Sequence, residues 1–166
     1  MKQKQPIHAV IGVRYHGAST YYVKRSLKMA NYPGVWSLFS IQFKPHELRN
    51  PKQVGGEVDE LFGRMSEGRL GGVPVKVKSY LTSGSSDENP MGVEVNLHLY
   101  EVALAEEPRL DPRYYTDAAW LRPEEYEHLC AGQACGLCLR LWADYAWMTG
   151  LTERPFMLPK VRSMAG

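Results

Sequence analysis

Apolar residues along this chain fall into short stretches with the character of β-strands. Stretches rich in β-branched and aromatic residues, bounded by Gly, Pro, Asn or Ser, are typical of strands. The turn signal at residues 17–19 indicates that the first two strands form a hairpin. The predicted strands cover residues 7–14, 20–25, 35–43, 73–81 and 92–104, and a short strand within residues 114–121 ends at Trp120.

A helical period follows in the middle of the chain and again near its end. Val54, Val58, Leu61 and Met65 recur every three or four residues, which places them on one helix face. Glycines at 55, 56 and 63 weaken this pattern, because each costs about 1 kcal/mol relative to alanine inside a helix. The polar segment 83–90 is predicted to be a loop. The predicted helices cover residues 52–69, a segment starting near Pro123, and residues 133–147.

Runs of strands around one internal helix, followed by helices, indicate an α/β fold with helices on the faces of a mixed sheet. The 166 residues suffice for one domain with its own core. We expect this domain to cover residues 1–151. Residues 152–166 carry few packing cues and are interrupted by proline, so they are predicted to be a C-terminal extension.

Charge and cysteine content narrow the class of protein. A formal net charge of +2 gives no strong nucleic-acid signal, although it allows an anionic small ligand. No apolar stretch approaches the ~20 residues that span a bilayer, and none of signal-peptide kind follows the N-terminus. Three cysteines, an odd number, favour reduced thiols. These features predict a cytoplasmic protein, and a homodimer is left open.

Two segments carry a resemblance to a known family. Residues 21–40, YYVKRS followed by YPGVWSLFS, resemble the strand, loop and Pro-Gly-x-Trp strand that precede the catalytic box of the Nudix hydrolase superfamily. Residues 117–129, DAAWLRPEEYEHL, resemble the late Trp-Leu strand end of that family, which enters a helix through Pro-Glu-Glu. The resemblance implies an α/β/α sandwich with a central mixed β-sheet. It also implies Mg²⁺- or Mn²⁺-dependent hydrolysis of a nucleoside diphosphate linked to another moiety.

The family's catalytic box, G-x5-E-x7-R-E-U-x-E-E-x-G-U with U apolar, is only partly present. Carboxylates one helical turn apart can share a hard divalent cation, which bridges the phosphates of the substrate. Glu47 stands where the resemblance places the early glutamate. A shifted alignment puts Glu57 and Glu60 on two carboxylate positions, whereas the ungapped one puts Asp59 and Glu60 there. The predicted catalytic residues are Glu57 and Glu60, with Glu47 as a further metal ligand.

A simpler interpretation of the same helix competes with this one. Glu57, Asp59, Glu60 and Arg64 also fit the solvated face of an amphipathic helix, with Arg64 paired to Glu60 four residues earlier. The eroded box therefore leaves a second functional class open. In that class the domain is a catalytically inactive Nudix-like module that binds a nucleotide-like ligand or a protein partner.

Three further residues are candidates for substrate contacts. Arg14 and Arg25 lie at strand ends, and arginine binds phosphate in a bidentate manner. Glu94 shares a face of its predicted strand with Asn96 and His98, and this face approaches the ligand if the Nudix resemblance holds. Exposed strand ends and a solvated strand face are the simpler interpretations.

The three cysteines suggest a separate metal site. Cys130, Cys135 and Cys138 have C-x4-C-x2-C spacing, and His128 is the nearest fourth ligand for a zinc ion. Because Cys135 and Cys138 also fall within a predicted helix, small core residues are the simpler interpretation.

Overall fold

The computed structural model describes residues 5–30, 32–87, 92–129 and 137–152. These parts of the chain contain eight strands and three helices, together with a short 3-10 turn at Pro45–Glu47. The strands are β1 (Ile7–Val13), β2 (Tyr15–His16), β3 (Ser19–Arg25), β4 (Trp36–Ser37), β5 (Phe39–Phe43), β6 (Val75–Ser86), β7 (Val95–Leu104) and β8 (Tyr115–Leu121). The helices are α1 (Glu57–Arg69), α2 (Pro123–Leu129) and α3 (Leu137–Met148).

The central sheet is mixed, with strand order β5-β1-β7-β6. Strands β1 and β7 are parallel, while β5 and β6 run antiparallel to their neighbours. A second, smaller sheet pairs β3 with β2, β4 and β8. Apolar side chains alternate across β1, so both of its faces are covered, as a central strand requires.

Two hydrophobic clusters lie on opposite faces of the central sheet. One cluster packs α1, through Val58, Phe62 and Met65, against Val10 of β1 and Tyr100 of β7. The other packs α3 and α2 against the opposite face; its members include Ile11, Leu99, Tyr126, Leu139 and Trp142. The predicted α/β/α sandwich with a central mixed β-sheet is therefore confirmed.

The third predicted strand, residues 35–43, is divided between the two sheets. Trp36–Ser37 pairs with β3, and Phe39–Phe43 pairs with β1. Leu38, fully buried, lies where the chain crosses from one sheet to the other. The prediction of one continuous strand was therefore wrong. A continuous apolar run indicates burial on both faces but does not reveal that the chain crosses between sheets.

The polar loop predicted at 83–90 is also wrong over its first part, because β6 continues to Ser86 and pairs with β7. Strand β6 is at the edge of the sheet, and small polar residues such as Ser83 and Ser85 suit its exposed side.

Helix α1 begins later than the period of its apolar residues suggested. Gly55 and Gly56 have φ of 101° and 49°, which keeps them out of the helix, so it starts at Glu57. Val54, placed on the apolar face by its spacing, precedes the helix and is 38% exposed.

The other element predictions agree with the structure to within a few residues over its described parts. The predicted extension lies outside the described residues, except for Thr152. Within the described residues, no helix is long and apolar enough to cross a membrane.

Candidate functional site

Four carboxylates line an open groove of about 580 Å³ along the exposed face of α1. We call it the acidic groove and define it by Glu47, Glu57, Glu60 and Glu67, with Arg64 among them. Intervals of three, four and three residues place positions 57, 60, 64 and 67 on one stripe of the helix. The 3-10 turn brings Glu47 alongside this stripe. The three predicted metal ligands thus share one cavity, and Glu67 joins them although the sequence analysis did not single it out.

Glu47 is held by two donors. The backbone N–H of Lys44 donates to Oε1 at 2.8 Å, and Nη2 of Arg64 lies 2.9 Å from Oε2. The Lys44 N–H lowers the pKa of the Glu47 carboxyl below its ordinary value, and the Arg64 cation lowers it further. Arg64 therefore pairs with Glu47 across the groove and not with Glu60 on its own helix, as the spacing alone suggested.

Glu57 is held by a single residue, Arg49. The backbone N–H of Arg49 donates to Oε1 at 3.0 Å, and its Nε lies 3.9 Å from Oε2. By contrast, neither Glu60 nor Glu67 forms an ion pair with any residue that the structure describes. The groove thus contains two bound carboxylates and two that face solvent.

A second cavity, of about 290 Å³, is lined by four cationic side chains: Arg25, Lys28, Arg69 and Arg113. We call it the basic pocket and define it by these four residues. Arg25 ends β3, Arg69 ends α1, and Arg113 lies just before β8. Because β3 pairs with β8, Arg25 lies opposite Tyr115, and the Tyr115 hydroxyl is 3.3 Å from Nη1 of Arg69. These pairings bring together cations that are far apart in the sequence.

Arg25 was predicted from its position at a strand end, but Lys28, Arg69 and Arg113 were not. Burial lowers the pKa of the Arg25 guanidinium below its ordinary value, and the neighbouring Arg69 cation contributes in the same direction. No spacing along the chain links these residues, so only the strand pairing could have revealed the pocket.

Arg14 and Glu94, the other predicted substrate contacts, line neither cavity. The Arg14 guanidinium lies 4.9 Å from the centre of the Trp120 ring and forms an ion pair with Glu107 at 3.0 Å. Glu94 is exposed just before β7, and its backbone carbonyl accepts a hydrogen bond from Ile7. Their roles in ligand binding stay predictions.

Two of the four residues suggested as a zinc site, His128 and Cys138, are among the described residues. Cys130 and Cys135 lie outside the described residues. Cys138 is half-buried on α3, with Sγ 3.3 Å from Oγ of Ser37, and His128 is exposed at the end of α2. Within the described part of the chain, no three His, Cys, Asp or Glu residues gather as a metal would require.

The sequence matches no protein-family model and no protein of curated function, but the fold matches many solved structures. A NUDIX hydrolase from Nitrosomonas europaea superposes with a TM-score of 0.65 at 12% identity, over 87% of this chain and 90% of that one. A MutT protein from Methanosarcina mazei Go1 gives a TM-score of 0.62 at 10% identity, over 90% and 99%. A UDP-X diphosphatase gives 0.56 at 12% identity, over 96% and 70%.

The chain has the Nudix fold.

The divalent cation implied by this fold does not fit the acidic groove as the side chains are arranged. Glutamate oxygens are suitable donors for Mg²⁺ or Mn²⁺. However, Glu57 and Glu60, one turn and about 4.5 Å apart along the helix axis, are the pair spaced to share an ion, and Glu57 already accepts a hydrogen bond from the backbone N–H of Arg49. Glu47 is bound to Arg64. We therefore derive no reaction step through a metal ion.

The Glu47–Arg64 pair also suggests a third alignment with the Nudix box. Glu47 follows Ile41 by six residues, as the early glutamate of the box follows its first glycine. If its partner Arg64 takes the place of the box arginine, the carboxylate positions hold Met65, Gly68 and Arg69. This alignment places the last glycine of the box on Gly71, whose φ is 68°, and its final apolar position on Gly72. It requires sixteen residues, 48–63, between the early glutamate and the arginine, where the box has seven.

The position of Asp59 helps to choose between the alignments with the Nudix box. Asp59 is exposed and is not among the residues that line the groove, although the ungapped alignment uses it as a carboxylate. The groove geometry favours either the shifted alignment, with Glu57 and Glu60, or the third one. Under the third, the end of α1 carries Arg69, a cation, at a position where the box carries a carboxylate.

Proposed function

We propose that this chain uses its Nudix fold to bind a phosphorylated, nucleotide-like small molecule without a divalent metal site of its own. The proposal is supported by the pairing of Glu47 with Arg64 and of Glu57 with Arg49. In this arrangement, two of the three carboxylates that a metal would use already contact arginine residues. The class of ligand is part of the proposal, and it is supported by the resemblance of the fold to a UDP-X diphosphatase, which is named for a diphosphate compound.

The carboxylates that remain are poorly placed to hold an ion between them. Glu60 and Glu67 are seven residues apart, which corresponds to about 10 Å along the helix axis. Mg²⁺ requires near-octahedral oxygen ligands at about 2.1 Å. The carboxylate one turn from Glu60 in the described part of the groove is Glu57, which already contacts Arg49.

Hydrolysis is the second candidate function, and two observations favour it. The solved structures that share this fold include proteins described as hydrolases. Glu47, Glu57 and Glu60 also line one groove, as a metal-dependent site would require. In this candidate, Mg²⁺ or Mn²⁺ on Glu57 and Glu60, with Glu47 in support, acts on a nucleoside diphosphate linked to another moiety. Arg49 and Arg64 would then have to release their carboxylates.

One experiment separates the two candidates. The wild-type protein is incubated with a panel of nucleoside diphosphate derivatives and Mg²⁺ or Mn²⁺, and both binding and phosphate release are measured. A Glu60→Gln variant tests the groove. Asp59→Asn is the matched control, because Asp59 is an exposed carboxylate on the same helix outside the groove.

The proposal predicts binding of at least one compound and equally slow phosphate release by all three proteins. Metal-dependent release that is lost in Glu60→Gln and kept in Asp59→Asn would replace it with the hydrolase. If no compound binds, the proposal is wrong. A cytoplasmic location and a homodimer stay predictions.

A further inference from the structure

The basic pocket gathers positive charge, and Asp111, the carboxylate that pairs with Arg113, lies outside its lining. Four of its described lining residues are cations, Arg25, Lys28, Arg69 and Arg113, and none is acidic. Like charges in a half-enclosed cavity repel each other, and low-dielectric walls strengthen the field. An anion that enters the cavity relieves this repulsion, so the charge pattern favours an anionic ligand.

Arg69 is fixed in place without being neutralised. Its guanidinium lies 4.3 Å from the centre of the Tyr114 ring, and Nη1 is 3.3 Å from the Tyr115 hydroxyl. No described carboxylate forms an ion pair with it. The end of the α1 dipole also favours a cation at this position, but that effect does not explain why Lys28 and Arg113 converge on the same cavity.

Arg113 is oriented by an ion pair with Asp111. Its Nε and Nη2 bind both carboxylate oxygens of Asp111 at 2.6–3.1 Å. This pairing offsets part of the charge and holds the guanidinium 5.6 Å from the centre of the Tyr114 ring. Tyr114 therefore lies against two guanidinium groups at once. Because Asp111 occupies the Nε and Nη2 edge of Arg113, Arg69 is the guanidinium that suits a phosphate, whose oxygens accept paired N–H bonds.

Neutral donors lie beside these cations. Ser40 and Gln42 of β5 line the same cavity, and their hydroxyl and amide groups can donate to phosphate oxygens. Lys28 is exposed at the mouth, where a flexible ammonium can reach a second phosphate. A volume of about 290 Å³ lies at the lower end for small-molecule sites, so it suits part of a ligand.

We propose that the basic pocket binds the phosphate or diphosphate group of an organic phosphate directly, with arginine and lysine in the place of a bridging metal ion. This inference rests on the proposed function. It assigns the ligand's phosphate group to the basic pocket, which shares no lining residue with the acidic groove. Arg69 and Lys28 are the binding residues, and Tyr114 is a positioning residue that orients Arg69.

The test uses the full chain, calorimetric titration in EDTA, and two probes, ADP and inorganic pyrophosphate. We expect wild type to bind both probes, and Arg69→Gln to lower the affinity about tenfold, because it removes charge-assisted hydrogen bonds. Lys28→Gln should lower the affinity about threefold, because an exposed charge contact contributes less, and the variant should fold normally since Lys28 is exposed. Arg122→Gln is the matched control, since Arg122 is an exposed arginine paired with Glu124 outside the pocket. Higher salt should weaken binding to wild type.

The outcomes distinguish the site from the function. Binding in EDTA that is equal in wild type, Arg69→Gln and Lys28→Gln would overturn the site while leaving a ligand-binding domain. Binding that requires Mg²⁺ and fails in Glu60→Gln would overturn it in favour of the acidic groove. If wild type binds neither probe, this pocket is not a phosphate site. Should Arg69→Gln fail to fold, Lys28→Gln decides.

Discussion

Gly12 of β1 lies where α1 rests on the central sheet, and a single methyl group there tests that packing. A Cβ at Gly12 would lie 2.3 Å from a carbon of the Phe39 ring and 3.2 Å from one of the Phe62 ring. Both rings are fully buried, so neither can swing into solvent. We expect Gly12→Ala to destabilise the protein by about 1–3 kcal/mol, the usual cost of overpacking. In a chain of this length that lowers Tm by about 3–10 °C.

The matched control is a second glycine-to-alanine change, on the helix itself. Gly63 lies inside α1, and a Cβ there meets nothing within 4 Å. Gly63→Ala should therefore stabilise the protein by up to about 1 kcal/mol, through helix propensity alone. Urea and thermal unfolding of the two variants measure both effects. If Gly12→Ala were as stable as wild type, or if both changes shifted stability in the same direction, the packing of α1 described above would be wrong.

Three further predictions concern single polar groups. Glu47 has a lowered pKa in the fold, so its contribution to stability is complete above its ordinary pKa and is lost as pH falls through the lowered one; Glu47→Gln should flatten the acid side of a stability–pH curve, and an unchanged curve would refute this. Burial lowers the pKa of His98, and the His8 charge adds to this effect. The free energy of unfolding should therefore fall as the pH drops below the ordinary pKa of histidine, and in equilibrium unfolding the His98→Gln variant should not show that fall. Tyr100→Phe removes the 2.5 Å hydrogen bond from the hydroxyl to the Pro51 carbonyl and should cost about 1 kcal/mol in urea unfolding; a cost near zero would mean that water replaces it.

The periodicity of the sequence was enough for most of the fold. Strands β1, β3 and β8 lie close to their predicted bounds because each is short, apolar and flanked by turn residues. The prediction of one strand at 35–43 was wrong because the sequence pattern of a strand buried on both faces is the same whether or not the chain passes from one sheet to another. The predicted start of α1 was wrong because the glycines at 55 and 56 were treated as weak helix residues. Their positive φ makes them part of the preceding loop.

The site was less accessible from the sequence than the fold was. A helical stripe is local, so the sequence could place Glu57 and Glu60 together, and Glu47 joins them in the groove. Their role as metal ligands stays a prediction. Spacing of four residues favoured Glu60 as the partner of Arg64, but the 3-10 turn brings Glu47 closer. The basic pocket depends on β3 pairing with β8, a contact between residues about 90 positions apart, such as Arg25 and Tyr115.

The most direct test of the central claim is the affinity for ADP measured twice, once in EDTA and once in excess Mg²⁺. If protein cations hold the phosphates, binding should persist in EDTA and become equal or weaker with Mg²⁺, because the ion neutralises the charge that Arg69 and Lys28 recognise. An affinity that rises tenfold or more on adding Mg²⁺, or that is absent in EDTA, would contradict the account and restore a metal-dependent site on α1.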